Sequence, residues 1–189
     1  MKDFDRKDLL FSLCGLNCGL CPMRLGGHCP GCGGGEGNQA CAIARCSLEH
    51  GKVEYCAQCK DYPCKRYEDK AEYDIFITKQ NQQKDMRKAM AVGPQAYRAE
   101  QEEKVEILYE LLERYNDGRR KTFYCVAVNL LELEDLKAVQ NQLREISTMP
   151  LKERAARAAA LLQETAQKRQ VTLKLRKKPS AKKQTDKTQ

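Results

Sequence analysis

The sequence predicts a mainly α-helical protein: a small, loop-rich, cysteine-rich N-terminal module packed on a domain of roughly three to five helices. Two observations predict this architecture. All but one of the 11 cysteines of the 189-residue chain lie between Cys14 and Cys64, and apolar residues recur with helical period only after that segment. We therefore divide the chain into a cysteine-rich module (1–65), a helical domain (66–170) and a basic tail (171–189) that we expect to be disordered.

The module is too poor in apolar residues to build an ordinary core. Short apolar clusters alternate with glycine-rich stretches, and no period of 2 or 3.6 persists between Cys14 and Cys64. The stretch "KDLLF" (7–11) predicts a short helix before the first thiol, and "CAIARCSLEHG" (41–51) predicts one helical turn. Because burial of so few side chains does not offset the chain entropy, we expect metal ions or disulfides to stabilise the module.

The helical domain is easier to divide into elements. Residues 95–116 form the clearest amphipathic helix, bounded by Gly93-Pro94 on one side and by Asn116, Asp117 and Gly118 on the other. Further apolar faces follow Arg119 and run from Leu136 to Ile146, and an alanine-rich helix spans about 150–169. Cys125, in an apolar helix, is expected to be a small buried side chain.

The cysteines point to metal binding. The start of the chain lacks a signal peptide, and no apolar run is long enough to span a membrane, so we expect a cytoplasmic protein without membrane association. Reducing conditions there favour metal ligands over structural disulfides, which remain the alternative. The candidate ligands are the ten clustered thiols: Cys14, Cys18, Cys21, Cys29, Cys32, Cys41, Cys46, Cys56, Cys59 and Cys64.

Three Cys-x-x-Cys hooks stand among these ligands, at Cys18/Cys21, Cys29/Cys32 and Cys56/Cys59. In "CPGCGG" (29–34), proline presets the turn and glycine lets backbone N–H groups approach the sulfurs, as in a zinc knuckle. Two hooks that converge on one ion give a tetrahedral Cys₄ zinc site. Ten thiols fill two such sites and leave two thiols over, and we expect two zinc ions; adding His28 and His50 to the two remaining thiols would allow a third site. Spacing alone does not pair the ligands.

Iron is the competing metal. The spacing Cys14-x₃-Cys18-x₂-Cys21 is also the one by which radical S-adenosylmethionine enzymes hold a [4Fe–4S] cluster. Those enzymes need a large βα barrel, however, and this chain shows no alternation of strands and helices that would build one. The alternative function is an iron–sulfur protein in electron transfer or redox sensing.

The succession "CGLNCGLCP" (14–22), "CPGC" (29–32), "CAIARC" (41–46) and "YCAQCKDYPC" (55–64) resembles a mainly prokaryotic, uncharacterised cysteine-rich family, the domain of unknown function 3795 family. The similarity covers residues 12–67, and the stretch "NDGRRKTFYCVAVNLLEL" resembles the longer bacterial members. The resemblance implies that the ten cysteines bind metal and implies no established activity; His28 and His50 do not belong to the family's pattern.

The chain offers no catalytic constellation. It contains no Ser/His/Asp set, no paired carboxylates and no phosphate-binding loop. A non-enzymatic, metal-stabilised binding module is therefore the leading interpretation, with an unknown protein as a possible partner.

Basic residues suggest a second kind of partner. Residues 168–189 carry nine basic residues and one acidic one, a net charge of 9 − 1 = +8 that equals the net charge of the whole chain. They could bind nucleic acid without sequence preference, since the segment has no aromatic residue for base stacking. Arg119, Arg120 and Lys121 begin a helix, where positive charge is unfavourable. They either pair with Glu110, Glu113 or another carboxylate, or contact an anion or a partner.

Overall fold

The structure, a computed structural model, describes residues 1–35, 41–68 and 72–178. Within these ranges it contains eight α-helices and no strand, so the predicted mainly α fold is confirmed. The helices are α1 (Pro22–Leu25), α2 (Ala42–Glu49), α3 (Lys65–Glu68), α4 (Gln82–Val92), α5 (Pro94–Arg114), α6 (Lys121–Leu130), α7 (Leu133–Glu145) and α8 (Leu151–Lys168).

Five of these helices, α4 to α8, form the helical part of the chain, at the upper end of the predicted range. Helix α5 lies at the centre and packs against the other four. Gly93 (φ +89°) separates α4 from α5, and Pro94 starts α5 because a first-turn residue needs no N–H donor. Leu108, Tyr124 and Leu162 are fully buried where α5, α6 and α8 meet, so this interface is the main apolar core.

The N-terminal module is mostly irregular, and the predicted helix over residues 7–11 is wrong. The Asp8 carboxylate accepts hydrogen bonds from the backbone N–H groups of Leu10 and Phe11, both at 3.0 Å. This local bonding competes with a helical turn. Helix α2, in contrast, extends over eight residues where one turn was expected.

A buried arginine stabilises the module from within. The Arg6 guanidinium donates to the carbonyl oxygens of Asp8, Phe11 and Cys32 at 2.9–3.3 Å, and its Nη2 lies 3.3 Å from a Glu54 carboxylate oxygen. The same side chain lies over the ring of Tyr55, 5.4 Å from the ring centroid. Arg6 therefore ties the first loop to the middle of the module without a metal.

The module and the helices share one packed body. Leu20 belongs to the helical core, and Phe11 stacks on Tyr97 of α5 with 4.7 Å between ring centroids. The buried Asn17 side chain donates to Asp85 of α4 at 2.8 Å and accepts from the Tyr97 hydroxyl at 3.0 Å. The loop that carries the first cysteines is thus held directly by α4 and α5.

The first residues of the predicted tail are folded onto the helices. Leu173 is buried in the helical core, and Val171 and Leu175 pack beside it. Arg176 donates through its backbone N–H and its guanidinium to the carboxylate of Asp74. Val171, Leu173 and Leu175 alternate with the exposed Thr172 and Lys174, so every second side chain of this segment faces the helices. Residues 179–189 of the predicted tail lie outside the described residues.

Candidate metal centre

All 11 cysteines are free thiols. Ten of them lie in the module, as the sequence shows, and eight of these ten form two groups. We name these the inner group, Cys14, Cys18, Cys32 and Cys41, and the outer group, Cys46, Cys56, Cys59 and Cys64.

The inner group is embedded in apolar side chains. Its cysteines pack against the buried residues Phe4, Leu13, Ile43 and Ala44. Burial, together with repulsion from Cys14 and Cys41, raises the pKa of the Cys32 thiol to about 11. Burial also raises the pKa of Cys14 and of Cys18, and each has other members of the group as charged neighbours. A metal ion entering this group would have to displace the protons that burial retains.

The outer group surrounds one small cavity. Cys46 lies near the end of α2, Cys56 and Cys59 flank a 3₁₀ turn over Cys56–Gln58, and Cys64 directly precedes α3. All four thiols line a cavity of about 30 Å³. This volume admits a water-sized particle, and a metal ion is of that size.

Tyr67 also lines this cavity, next to Cys56. The Tyr67 hydroxyl is buried beside the Cys56 sulfur, and burial together with Cys56 raises its pKa. Burial raises the pKa of the Cys56 thiol to about 12, with Cys14, Cys64 and Cys46 as further causes. Cys56 thus lies between the two groups, facing the outer cavity while bordering Cys14.

The outer group opens to solvent on its other side. Cys46, Cys59 and Cys64 also line a wide depression of about 550 Å³ together with His50, Asp61, Lys65 and Arg66. The Arg66 guanidinium lies beside the Cys46 sulfur, and this interaction raises the pKa of Arg66. Sulfur atoms of the outer group are therefore reachable from solvent and have cationic neighbours.

His50, a candidate ligand from the sequence, lies between Cys46 and Asp61, which the sequence did not single out. The His50 Nδ1 lies 3.5 Å from the Cys46 sulfur and 2.8 Å from the Cys46 carbonyl oxygen, and Nε2 lies 3.6 Å from an Asp61 carboxylate oxygen. Since a carbonyl only accepts, Nδ1 must carry the proton in that contact. His50, which caps the end of α2, therefore connects this helix to the loop that carries Asp61.

The described side chains do not converge on a single point. In residues 1–35, 41–68 and 72–178, no group of three or more His, Cys, Asp or Glu side chains could hold a metal ion as it stands. The donor set nevertheless suits zinc, because each group offers four thiols; at the outer group, His50 and the Asp61 carboxylate line the same cavity. Binding would require the thiols to turn toward a shared centre.

The remaining candidate cysteines lie elsewhere. Cys21 precedes α1 and borders Cys125, whose pKa is raised to about 12 by burial and then by Cys21. Cys125 is 4 % exposed, as expected of a small core residue. Cys29 is half-buried beside the exposed His28. In the pairs Cys18/Cys21 and Cys29/Cys32, one cysteine belongs to the inner group and the other lies outside both groups. Both cysteines of Cys56/Cys59 belong to the outer group.

Arg119 and Arg120 lie between α5 and α6, and Lys121 is the first residue of α6. For these three residues the sequence left a choice between pairing and partner binding. Arg120 forms an ion pair at 3.3 Å with Asp117, a carboxylate other than Glu110 and Glu113. The Asp117 and Asn116 side chains also accept backbone N–H bonds from Arg119 and Arg120. The loop's own carboxylate therefore offsets part of the unfavourable charge at the start of α6.

Comparison of the chain with protein-family models, with curated proteins and with solved structures gives no match. Among the described residues, no helix is both long and apolar enough to cross a bilayer.

Proposed function

We propose that this chain is a non-enzymatic zinc-binding protein in which the inner and outer groups each take one zinc ion. The observation that carries the proposal is the cavity that Cys46, Cys56, Cys59 and Cys64 line together, since these four thiols supply the donor set of structural zinc once they turn toward a shared centre. Zinc bound there would fix the segment between α2 and α3 and leave the helices to present binding surfaces.

The small amount of regular structure and apolar packing in the module supports the proposal. Apart from α2, the module has only very short helical segments, and its two small apolar clusters contain few large side chains. The Arg6 contacts hold the first loop, but they do not reach Cys46, Cys59 or Cys64. Zinc ligation would supply the missing cross-links in this part. The resemblance to the cysteine-rich family implies metal binding by the eight thiols of the two groups, and by Cys21 and Cys29 as well.

The placement of Cys21 favours zinc over an iron–sulfur cluster. A cluster held by Cys14, Cys18 and Cys21 needs all three sulfurs on one face. The thiol neighbours that affect the pKa of Cys14 include Cys41, and those of Cys18 are Cys32, Cys14 and, most weakly, Cys21. Cys21 instead borders Cys125 in the helical core. The inner group therefore supports a four-thiol site without Cys21.

Nucleic-acid binding through residues 168–189 gains less support. Two of the basic residues are already engaged, since Arg169 contacts Asp135 at 2.8 Å and Arg176 contacts Asp74 at 2.9 Å. Each such pair reduces the charge that is free to meet phosphate. We therefore keep the zinc-stabilised interaction module as the proposed function, with a protein partner.

Serine substitutions made in one cysteine group at a time test the proposal. We expect the Cys46→Ser/Cys59→Ser variant and the Cys14→Ser/Cys32→Ser variant each to retain one zinc ion fewer than the parent chain. Cys29→Ser is the matched control, because Cys29 lies outside both groups, and it should retain the parent zinc content. Zinc lost in the Cys29→Ser variant, but kept in the Cys46→Ser/Cys59→Ser variant, would contradict the two-group assignment.

A further inference from the structure

We infer that a cavity at the end of α5 binds a phosphate group, either as free phosphate or as part of a phosphate monoester. The cavity is formed by the end of α5, the connection between α7 and α8, and the start of α8. Its lining residues are Arg114, Tyr115, Ser147 and Arg154, and its volume is about 180 Å³. That space holds more than one water molecule, so a polyatomic anion has room there. No cysteine takes part, so this inference does not depend on zinc binding.

Arg154 is held at the cavity wall and has a donor to spare. Its Nη1 donates to the Ser147 carbonyl oxygen at 3.0 Å, which fixes the guanidinium beside the end of α7. In the part of the chain that the structure describes, the Arg154 Nε is buried and has no hydrogen-bond partner. A buried donor without an acceptor costs free energy, so capping the helix end accounts for only part of this side chain. A phosphate oxygen in the cavity would supply the missing acceptor, because guanidinium groups bind phosphate through adjacent N–H groups.

The charges that act on this cavity favour an anion with two negative charges. Burial raises the pKa of Tyr115, which forms one wall, and Glu110 adds to the increase. Three guanidinium groups act in the opposite direction: Arg114, Arg154 and Arg144. Three positive groups and one negative group leave a net charge of 3 − 1 = +2 around the Tyr115 side chain. A phosphate dianion matches this charge, whereas one carboxylate balances only half of it.

The acidic side chains nearby do not cancel this charge. None of the described residues that line the cavity is acidic. Glu110 faces a different cavity, which it lines with Gln140; it accepts a hydrogen bond from Gln140 and lies 4.0 Å from Arg114. Asp117 is paired with Arg120. The other charged residues of the same turns are exposed: Glu113, Glu145, Lys152 and Glu153. Solvent and salt screen these exposed charges, so they act less strongly on the cavity than the buried edge of Arg154 does.

Titration of the full chain with inorganic phosphate tests the inference. Calorimetry at about pH 8, where phosphate carries close to two charges, measures the affinity at constant ionic strength. Nitrogen-15 NMR locates the site through the Ser147 amide and the Arg154 Nε–H. We expect phosphate to shift both signals and acetate to bind at least about tenfold more weakly.

Phenyl phosphate distinguishes the two sources of the phosphate group. Met149 and Leu151 lie between Ser147 and Arg154 in the chain, and they are 41 % and 42 % exposed. Tighter binding of phenyl phosphate than of inorganic phosphate would assign the site to a monoester with an apolar part. Equal or weaker binding would assign it to free phosphate.

Four substitutions test which side chains hold the phosphate. Arg154→Gln should weaken binding at least about tenfold, because it removes the unpaired donor. Arg114→Gln should also weaken binding and leave folding intact, since the Arg114 side chain is 63 % exposed. Glu110→Gln should strengthen binding, because it removes the opposing charge. Arg98→Gln is the matched control, an exposed arginine of α5 that pairs with Glu102, and it should bind phosphate as the parent chain does. Failure of the parent chain to bind phosphate, or equal binding by the parent chain, Arg114→Gln and Arg154→Gln, would overturn the inference.

Discussion

Asp85 provides a test of how the first cysteine loop is attached to the helices. Its carboxylate is 8 % exposed on α4 and accepts a hydrogen bond from the Asn17 side chain at 2.8 Å. Lys104, also buried, is a charged neighbour, but its Nζ donates to the Leu131 carbonyl oxygen at 2.8 Å. Burial raises the pKa of Asp85 from 3.8 to about 6, against the lowering effect of Lys104.

The direction of the shift determines the pH dependence. Between about pH 4 and pH 6 the folded chain holds a proton on Asp85 that the unfolded chain has lost. The free energy of unfolding therefore decreases as the pH rises through this window. A shift of about 2 pH units corresponds to about 3 kcal/mol, and the loss is complete above pH 6.

The assay is urea unfolding of the parent chain and of Asp85→Asn at intervals from pH 4 to pH 7, both stripped of metal and kept reduced. Asparagine keeps an oxygen for the Asn17 amide but does not titrate. We expect the parent chain to lose about 3 kcal/mol relative to Asp85→Asn between pH 4 and pH 6.

Glu102→Gln, which changes an exposed carboxylate on α5, should follow the parent chain. If the free energy of unfolding changes with pH in the same way for the parent chain and for Asp85→Asn, then burial does not raise the pKa of Asp85.

Two further predictions concern the same junction. Tyr97→Phe removes the hydroxyl that donates to the buried Asn17 oxygen at 3.0 Å and should lower the free energy of unfolding by about 1–3 kcal/mol. Tyr109 is 55 % exposed, so Tyr109→Phe should leave this free energy almost unchanged. Equal losses in the two variants would contradict the role of the hydrogen bond. Gly15→Ala places a Cβ at positive φ (+91°) and 2.6 Å from a backbone oxygen of α4, so it should cost about 1–3 kcal/mol more than Gly27→Ala. Gly27 shares the positive φ but has open space around it, so equal losses would show that strain alone matters.

The helical part could be predicted because its signals are local. Gly93-Pro94 separates α4 from α5, and the Asn116–Gly118 stretch lies between the end of α5 and the start of α6. Apolar periodicity then identified the buried faces. The helix predicted over residues 7–11 failed because the Asp8 side chain bonds two backbone N–H groups, an effect that periodicity does not detect.

The grouping of the cysteines could not be predicted, because tertiary contacts determine it. Cys32 joins Cys14 and Cys41 across long stretches of chain, while its hook partner Cys29 lies outside both groups. The role of Arg6 was equally hidden, since a single arginine near the N-terminus gives no sign of being buried. Of the neighbours of Cys46, only His50 was a candidate ligand in the sequence, because Asp61 and Arg66 come from other turns.

Metal analysis of the chain, purified without oxygen, tests the central claim most directly. We expect about two zinc ions for each chain, one for each cysteine group, and a colourless protein, because zinc is a d¹⁰ ion. Iron in place of zinc, with a brown colour and absorption near ~400 nm, would contradict it in favour of an iron–sulfur cluster. A folded chain that retains neither metal would contradict metal binding altogether.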